Sequence, residues 1–402
     1  MNSSFENLSP ELFYEICDYL DGYHIHLAFG NLNYYFQHLL NSTSLLLKFN
    51  YSSTQEGYSY ESDVSNSSTQ EGYSYESGVT NGWKQAIFHC GPQILSICFG
   101  EYIYSYTFIS SLAKKSAFSR LESMTIPNVD YKSIIVILSA LSSLPRLYHL
   151  EIDVYGAGRD LTDLYKLIFN LSRLKSLKLE ITDSEIEYVP LNIQQQTTIE
   201  YLTLKHDCAW EYIPSLLKCT TKLRSLKIIS QSDAIYYKLK RFQGCHCEHL
   251  TQLSLDTNAT KFKYLSNLIQ RLSPKLRQLS IYTISEDQTY LDAEKLEELI
   301  LKYFLRLKSF SLKYKNYNYW PEGPDPAEVA FPYKVNQFVS PFWLDRRWIV
   351  DIELNSSFIC FDIHPYKYIS FLIFSFPNNS FCVCLENVGM TNKFLIYINR
   401  LS

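Results

Sequence analysis

"LYHLEIDVYGAGRDLTDLYKLIFNLSRLKSLKL", residues 147–179, holds one full structural period and the start of the next. Its opening frame, LYHLEI (147–152), alternates apolar and polar residues, the period of a β-strand with one buried face. In LTDLYKLIFNLSRL (161–174) the apolar residues fall instead at helical spacing. LKSLKL (174–179) then restores the first frame 27 residues after it began. A strand and a helix in so short a length cannot enclose a core alone, but copies stacked side by side share one.

The frame L-x-x-L-x-L, or a close variant, recurs on both sides. It stands at LESMTI (121–126), IEYLTL (199–204), LRSLKI (223–228), LTQLSL (250–255), LRQLSI (276–281) and LKSFSL (307–312). Successive starts from 121 are 26, 27, 25, 24, 27, 26 and 31 residues apart, and ILSICF (94–99) is an irregular earlier copy. Helix-period stretches lie between frames, as in SIIVILSALSSL (133–144), FKYLSNLIQRL (262–272) and AEKLEELILKYFLRL (293–307). Parallel strands with a helix on each crossover are expected from about 91 to 312.

Upstream, LSPELFYEICDYLDGYHIHLAFGNLNYYFQHLL (8–40) predicts three short helices. Ser9 reads as an N-cap and Pro10 as the first helical residue. Glu11 favours the positive end of the helix dipole. Leu12, Ile16 and Leu20 line one face, and Asp21-Gly22 reads as the helix end. A second helix is expected at about 24–29 and a third at about 31–40, with Leu32, Phe36 and Leu40 on one stripe. So short a module carries more apolar surface than it can bury by itself, which points to a partner.

The 402 residues are 46% hydrophobic and 19% charged, which excludes wholesale disorder. Net charge is −4, against the role of a general nucleic-acid or anionic-membrane binder. Residues 1–50 hold five acidic side chains against Lys48 alone, so the N-terminal module is the acidic part. MNSSFENLSP has neither a basic nor an apolar leader region, so no signal peptide is expected. The most apolar run, ISFLIFSF (369–376), is too short to span a bilayer. The ten cysteines are accordingly expected as free thiols, in the cytoplasm, the nucleus or both. CHCEH (245–249) lacks the paired spacing of a zinc site, so no metal and no cofactor is expected.

SSTQEGYSYES occurs at 52–62 and again, letter for letter, at 67–77, and reads as a duplicated surface loop. PEGPDPAEVAFP (321–332) breaks the pattern, and strand-like runs follow at WIVDIEL (348–354), FICFDI (358–363), ISFLIFSF, FCVCL (381–385) and FLIYI (394–398). They are expected to cap the array's open edge, or to form a separate small β-domain. YKLKRF (237–242) reads as a solvated helical face. The sequence holds no G-x-S-x-G, phosphate loop, dinucleotide fingerprint or H-E-x-x-H, and no catalytic residue is assigned.

The opening module resembles an F-box, the adaptor-binding module of cullin-based ubiquitin ligases. The resemblance runs through Leu8, Pro10, Glu11, Leu12, Glu15-Ile16, Tyr19-Leu20, Ile25, Leu32 and Phe36. It departs where Ser9 separates Leu8 from Pro10 and where His24 replaces a common acidic residue. The frames downstream resemble leucine-rich repeats, although the asparagine usual eight positions after the first leucine occurs once, as Asn258.

The combination implies an α/β fold. It places an F-box at 1–45, a linker at 46–90, a leucine-rich-repeat solenoid with outer helices at 91–320 and a β-rich cap at 321–402. It implies a non-catalytic adaptor that binds a Skp-type subunit on a cullin scaffold through Leu8, Pro10, Leu12, Ile16, Leu20, Ile25, Leu32 and Phe36. A target protein would lie on the sheet face opposite the inward leucines. The residues expected there are Glu151, Asp153, Lys178, Glu180, Tyr201, Lys205, Lys227, Asp256, Tyr282 and Lys313. A repeat-based scaffold outside ubiquitin ligation is the alternative. Neither nucleic acid nor membrane is expected as a partner.

Overall fold

Each of the eight frames from 121 onward forms a strand, and each strand begins at its frame's third residue. The computed structural model describes residues 7–42, 45–50, 78–100, 109, 118–158, 160–182, 196–206, 213–230, 247–272, 275–317, 336–354, 359–365, 382–388 and 391–397. The duplicated SSTQEGYSYES segments, YKLKRF, the proline-rich break, ISFLIFSF, Cys245 and His246 lie outside them. The chain is mixed α/β and its strand pairing is mostly parallel. It forms two compact units, Met1–Gly158 with Asp163–Asp183, and Arg159–Thr162 with Ser184–Ser402.

In the first unit β1 (Leu47–Asn50), β2 (Ile94–Cys98), β3 (Ser123–Asp130), β4 (His149–Tyr155) and β5 (Ser176–Ile181) pair in chain order, all parallel. Its helices are α1 (Pro10–Cys17), α2 (Gly22–Phe29), α3 (Tyr34–Leu40), α4 (Gly78–His89), α5 (Tyr131–Leu141) and, from Asp163 on, α6 (Thr162–Phe169). Leu150, Ile152 and Val154 on β4 and Leu177, Leu179 and Ile181 on β5 are buried, while the residues between them are more exposed. α5 packs on β3 and β4 and buries Ile134, Ile137, Leu138 and Leu141. Asp130 caps it, its Oδ1 accepting from the Ser133 N–H at 3.0 Å. β3 slips register between Ile126 and Val129, where Pro127 supplies no N–H and Asn128 takes a φ of 46°.

In the second unit β6 (Tyr201–Lys205), β7 (Ser225–Ile229), β8 (Gln252–Asn258), β9 (Gln278–Ile284) and β10 (Ser309–Asn316) again pair in parallel and in order. The direction then reverses. β12 (Ile359–Pro365) lies antiparallel on β10, followed outward by β11 (Trp348–Leu354), β14 (Thr391–Tyr397) and β13 (Cys382–Val388). The edge of β10 is thus covered by β12, which begins within FICFDI, one of the strand-like runs read after the proline-rich break. The unit's helices are α7 (Ile213–Cys219), α8 (Phe262–Leu272), α9 (Ala293–Tyr303) and α10 (Pro341–Asp345).

One turn repeats at the frames. The frame's second residue offers its carbonyl to the N–H groups of the second and third residues of the next frame. Glu122 accepts from Tyr148 and His149, and Tyr148 from Lys175 and Ser176. In the second unit Glu200, Arg224, Thr251 and Arg277 do the same for Arg224–Ser225, Thr251–Gln252, Arg277–Gln278 and Lys308–Ser309. Just before, the first leucine donates back three residues, as in Leu121 to Phe118, Leu174 to Leu171, Leu223 to Thr220, Leu250 to Cys247 and Leu307 to Phe304. A tight turn therefore hands each unit to its strand, and its recurrence explains the near-constant spacing.

Three expectations need correction. Asp21-Gly22 does not end the first helix: α1 stops at Cys17, and Asp21 caps α2 by accepting from the Tyr23 N–H at 2.8 Å. An Asp-Gly pair serves as a helix start as well as a stop, and here the following residues claim it. The segment 46–90 is not linker throughout, because β1 and α4 fall within it. β1 is only four residues long, too short for its alternation to stand out, and it gains its ladder bonds from distant β2. The helical stretch 161–174 ends early, at Phe169, because its last residues form the turn into β5.

Candidate protein-binding surfaces

The N-terminal module is built from three capped helices, each supplying a ring to one cluster. Ser9 Oγ accepts from the Leu12 N–H at 3.4 Å, and Asn33 Oδ1 from the Phe36 N–H at 3.1 Å, so Ser9 and Pro10 start α1 as expected. Phe13, Phe29 and Phe36 then meet with ring centroids 5.2 to 5.7 Å apart. The Tyr35 hydroxyl donates to the Leu8 carbonyl at 2.8 Å and holds the entering chain.

The chain's own β1 and α4 cover part of the surplus apolar surface. α2 packs against both, with Gly22 on the ring of Phe49, and Asp21 accepts from the Asn50 N–H. Trp83 on α4 stacks edge-on with Phe49 and Phe99. At the α2–α4 seam His26 Nδ1 is 3.8 Å from Cys90 Sγ, and its ring is 5.2 Å from that of His89. Burial, then the neighbouring His89, lowers the His26 pKa, and burial pushes the Cys90 thiol up to about 12.

Several apolar side chains remain uncovered, beside the acidic Glu11, Glu15 and Asp18. On α1 the interior stripe is Phe13 and Cys17, and the stripe one residue back faces out. Leu12 is 49% exposed, Leu20 41% and Leu32 59%; Pro10 is exposed, while Leu8 and Ile16 are half-buried. Leu27, Tyr19 and Tyr34 add further exposed surface that the helical pattern did not single out. Leu27 was legible in retrospect, because Ile25, two residues earlier on α2, faces inward. Ile25 and Phe36 are buried within the chain, at 0% and 2%, so in this conformation neither is presented at the surface.

The open sheet face of the first unit carries His149, Glu151 and Asp153 on β4 beside Lys178 and Glu180 on β5. Glu151 and Lys178 are register partners and form an ion pair on a side-chain surface more than a third exposed, which contributes little stability. Asp153 and Glu180 are also register partners, two carboxylates side by side. The open face of the second unit brings Lys205, Asp256, Tyr282 and Lys313 into one row across the strands, with Asp362 next on β12. Tyr201 and Lys227 are exposed on the same face. Burial raises the Asp256 carboxyl, with Lys227 opposing, and burial likewise raises the Tyr282 phenol, to which Tyr317 and Asp256 add.

On β12 the His364 Nε2 lies 2.9 Å from Asp351 Oδ2 of β11, a pair that no local pattern announces. Among the described residues no group of three or more His, Cys, Asp or Glu is placed to hold a metal ion. Of CHCEH, Cys247 is buried and His249 exposed. Burial, with Asp18 adding, raises the Cys17 thiol to about 11. Among the described residues no helix is long and apolar enough to cross a membrane. No family model matches the chain. No curated protein matches it either.

Proposed function

We propose that the chain is a substrate-recognition adaptor of a cullin-type ubiquitin ligase. In this reading α1–α3 form an F-box that binds a Skp-type adaptor, and the strand-turn-helix units form a leucine-rich solenoid whose open sheet face holds a target protein. The chain supplies proximity, raising the effective concentration of target lysines near a charged conjugating enzyme, and makes no bond itself. The recurring turn and the parallel pairing of successive frames support the repeat half.

The observation that carries the reading is the division of α1. Phe13 and Cys17 fill the interior while Leu12, Ile16 and Leu20, on the stripe the resemblance assigns to the adaptor, stand on the surface or at its edge. Four exposed leucines on so small a module are costly in water and cheap against a partner. Truncating a buried anchor of this kind costs about 2 kcal/mol or more. Leu12→Ala with Ile16→Ala should therefore abolish co-purification with a co-expressed Skp-type adaptor. An unchanged pull-down by a folded variant would end the ligase reading.

One observation favours a second reading, a repeat scaffold that joins no ligase. Ser9, inserted between Leu8 and Pro10, is the α1 N-cap, and this leaves Leu8 outside the helix. Absence of any complex between the wild-type chain and the adaptor would select it.

A further inference from the structure

Alternation along the second unit's parallel strands leaves a row of mostly small side chains across the open sheet face. Thr203, Lys227, Ser254, Ser280 and Ser311 are successive register partners on β6 to β10. Lys205, Ile229, Asp256, Tyr282 and Lys313 flank the row on one side, and Tyr201, Gln252 and Gln278, interrupted by Ser225 and Ser309, on the other. Four strand gaps of about 4.8 Å make the row about 19 Å long, the span of about six residues of extended chain. Shape alone names no occupant, but charge does. The outward positions of these five strands hold Lys205, Lys227, Lys313 and Lys315 against Asp256, and Asp362 on the adjoining β12 faces Lys313 at 4.0 Å, so the excess of positive charge lies toward Lys205 and Lys227. Lys227 is exposed within the row itself.

We propose that this face docks an extended acidic segment of a partner protein, laid across the strands with its carboxylates toward Lys205 and Lys227. The inference rests on the target-receptor reading above and gives the target its chemistry. A nucleic acid fits less well, because Asp256 interrupts the lysines and four cations make a short phosphate track. The open face of the first unit, with Glu151, Asp153 and Glu180 against Lys178, has the opposite balance and would repel the same segment.

The test is fluorescence anisotropy on the full chain with fluorescein-labelled twelve-residue peptides of alternating Glu/Ser, Gln/Ser or Lys/Ser, and a twelve-nucleotide oligothymidine. The Glu/Ser peptide should bind, and more weakly as salt is raised. Lys205→Glu with Lys227→Glu should weaken it at least tenfold, whereas Lys218→Glu with Lys263→Glu on α7 and α8 should change it less than twofold. Equal binding of Gln/Ser or Lys/Ser, tighter binding of oligothymidine, equal loss from the helix reversals, or no Glu/Ser binding would each overturn the proposal. Proximity labelling in cells separates the two levels. If sheet-face reversals lose labelled targets although the Glu/Ser peptide does not bind, the acidic chemistry fails and the receptor reading stands. If targets are also retained, both fail.

Discussion

Gly22 on α2 lies against the ring of Phe49 on β1, so closely that a β-carbon at residue 22 would come within 2.5 Å of Cε2 and 2.7 Å of Cδ2. The contact seats the three-helix module on the chain's own sheet. Gly22→Ala should force the ring aside and cost about 1–3 kcal/mol, the usual range for overpacking. Thermal unfolding of the full chain checks it, and a Phe49→Leu change in the same variant should recover part of the loss by making room.

Interior and surface of the module should respond oppositely to truncation. Phe36→Ala, removed from the three-ring cluster, should cost about 3–5 kcal/mol and melt the module. Leu32→Ala, on the surface, should shift the melting of the free chain by no more than about 0.5 kcal/mol. If Leu32→Ala proves as damaging as Phe36→Ala in the absence of any partner, the exposed leucines belong to an intramolecular contact.

The pair formed by His364 and Asp351 gives β11 and β12 a pH dependence. The hydrogen bond that His364 donates to the Asp351 carboxylate raises its pKa above the ordinary 6.5, with burial opposing and the Pro365 carbonyl and Asp362 assisting. Asp362 also faces Lys313 of β10 at 4.0 Å. Because the folded value is the higher, the stabilisation is complete below pH 6.5 and disappears as pH rises through the folded value. His364→Gln should therefore destabilise the chain most in mildly acidic buffer and progressively less toward alkaline pH, as followed by thermal melts across that range.

The α2–α4 seam should show the opposite trend. His26 has its pKa below the ordinary 6.5 through burial and the facing His89, and its other neighbour is the thiol of Cys90. With the folded value depressed, stability is intact above pH 6.5 and is lost as pH falls from there toward the folded value. Hydrogen exchange of α2 amides, corrected for intrinsic rates, should rise relative to α5 on acidification. His26→Gln should flatten the difference.

Asp130 ends β3 and caps α5, and Asp130→Ala should cost about 1 kcal/mol in an unfolding titration. Burial pushes its carboxyl up, but the donors of Ser133 and Lys132 outweigh that and hold it below the ordinary 3.8. Asp130→Asn keeps the acceptor and should retain most of the stability.

The strands were the most legible part of the chain. Leu150 and Ile152 face the core and Glu151 and Asp153 the open side because a strand's period of two leaves no other choice once leucines are buried. The repeat spacing was legible for a related reason, since one turn with the same hydrogen bonds closes unit after unit. β1 and α4 escaped notice because neither has a strong pattern of its own: β1 is paired by β2, more than forty residues later, and α4 packs on the side of α2. The pair His364 and Asp351 was equally hidden, since it depends on the antiparallel register of β11 and β12, which main-chain pairing sets.

The alternation, the helix start at Ser9 and the number of residues per repeat could be read from the residues in order, because these depend on neighbours within a turn or two. Which of two adjacent stripes on α1 enters the core was decided only by tertiary packing. Leu12, Ile16 and Leu20 obey the same spacing as Phe13 and Cys17, and the choice fell to the rings of Phe29 and Phe36 across the module. The antiparallel cover on β10 is likewise a tertiary outcome, because main-chain pairing between distant segments depends on the direction of approach and not on the identity of the side chains.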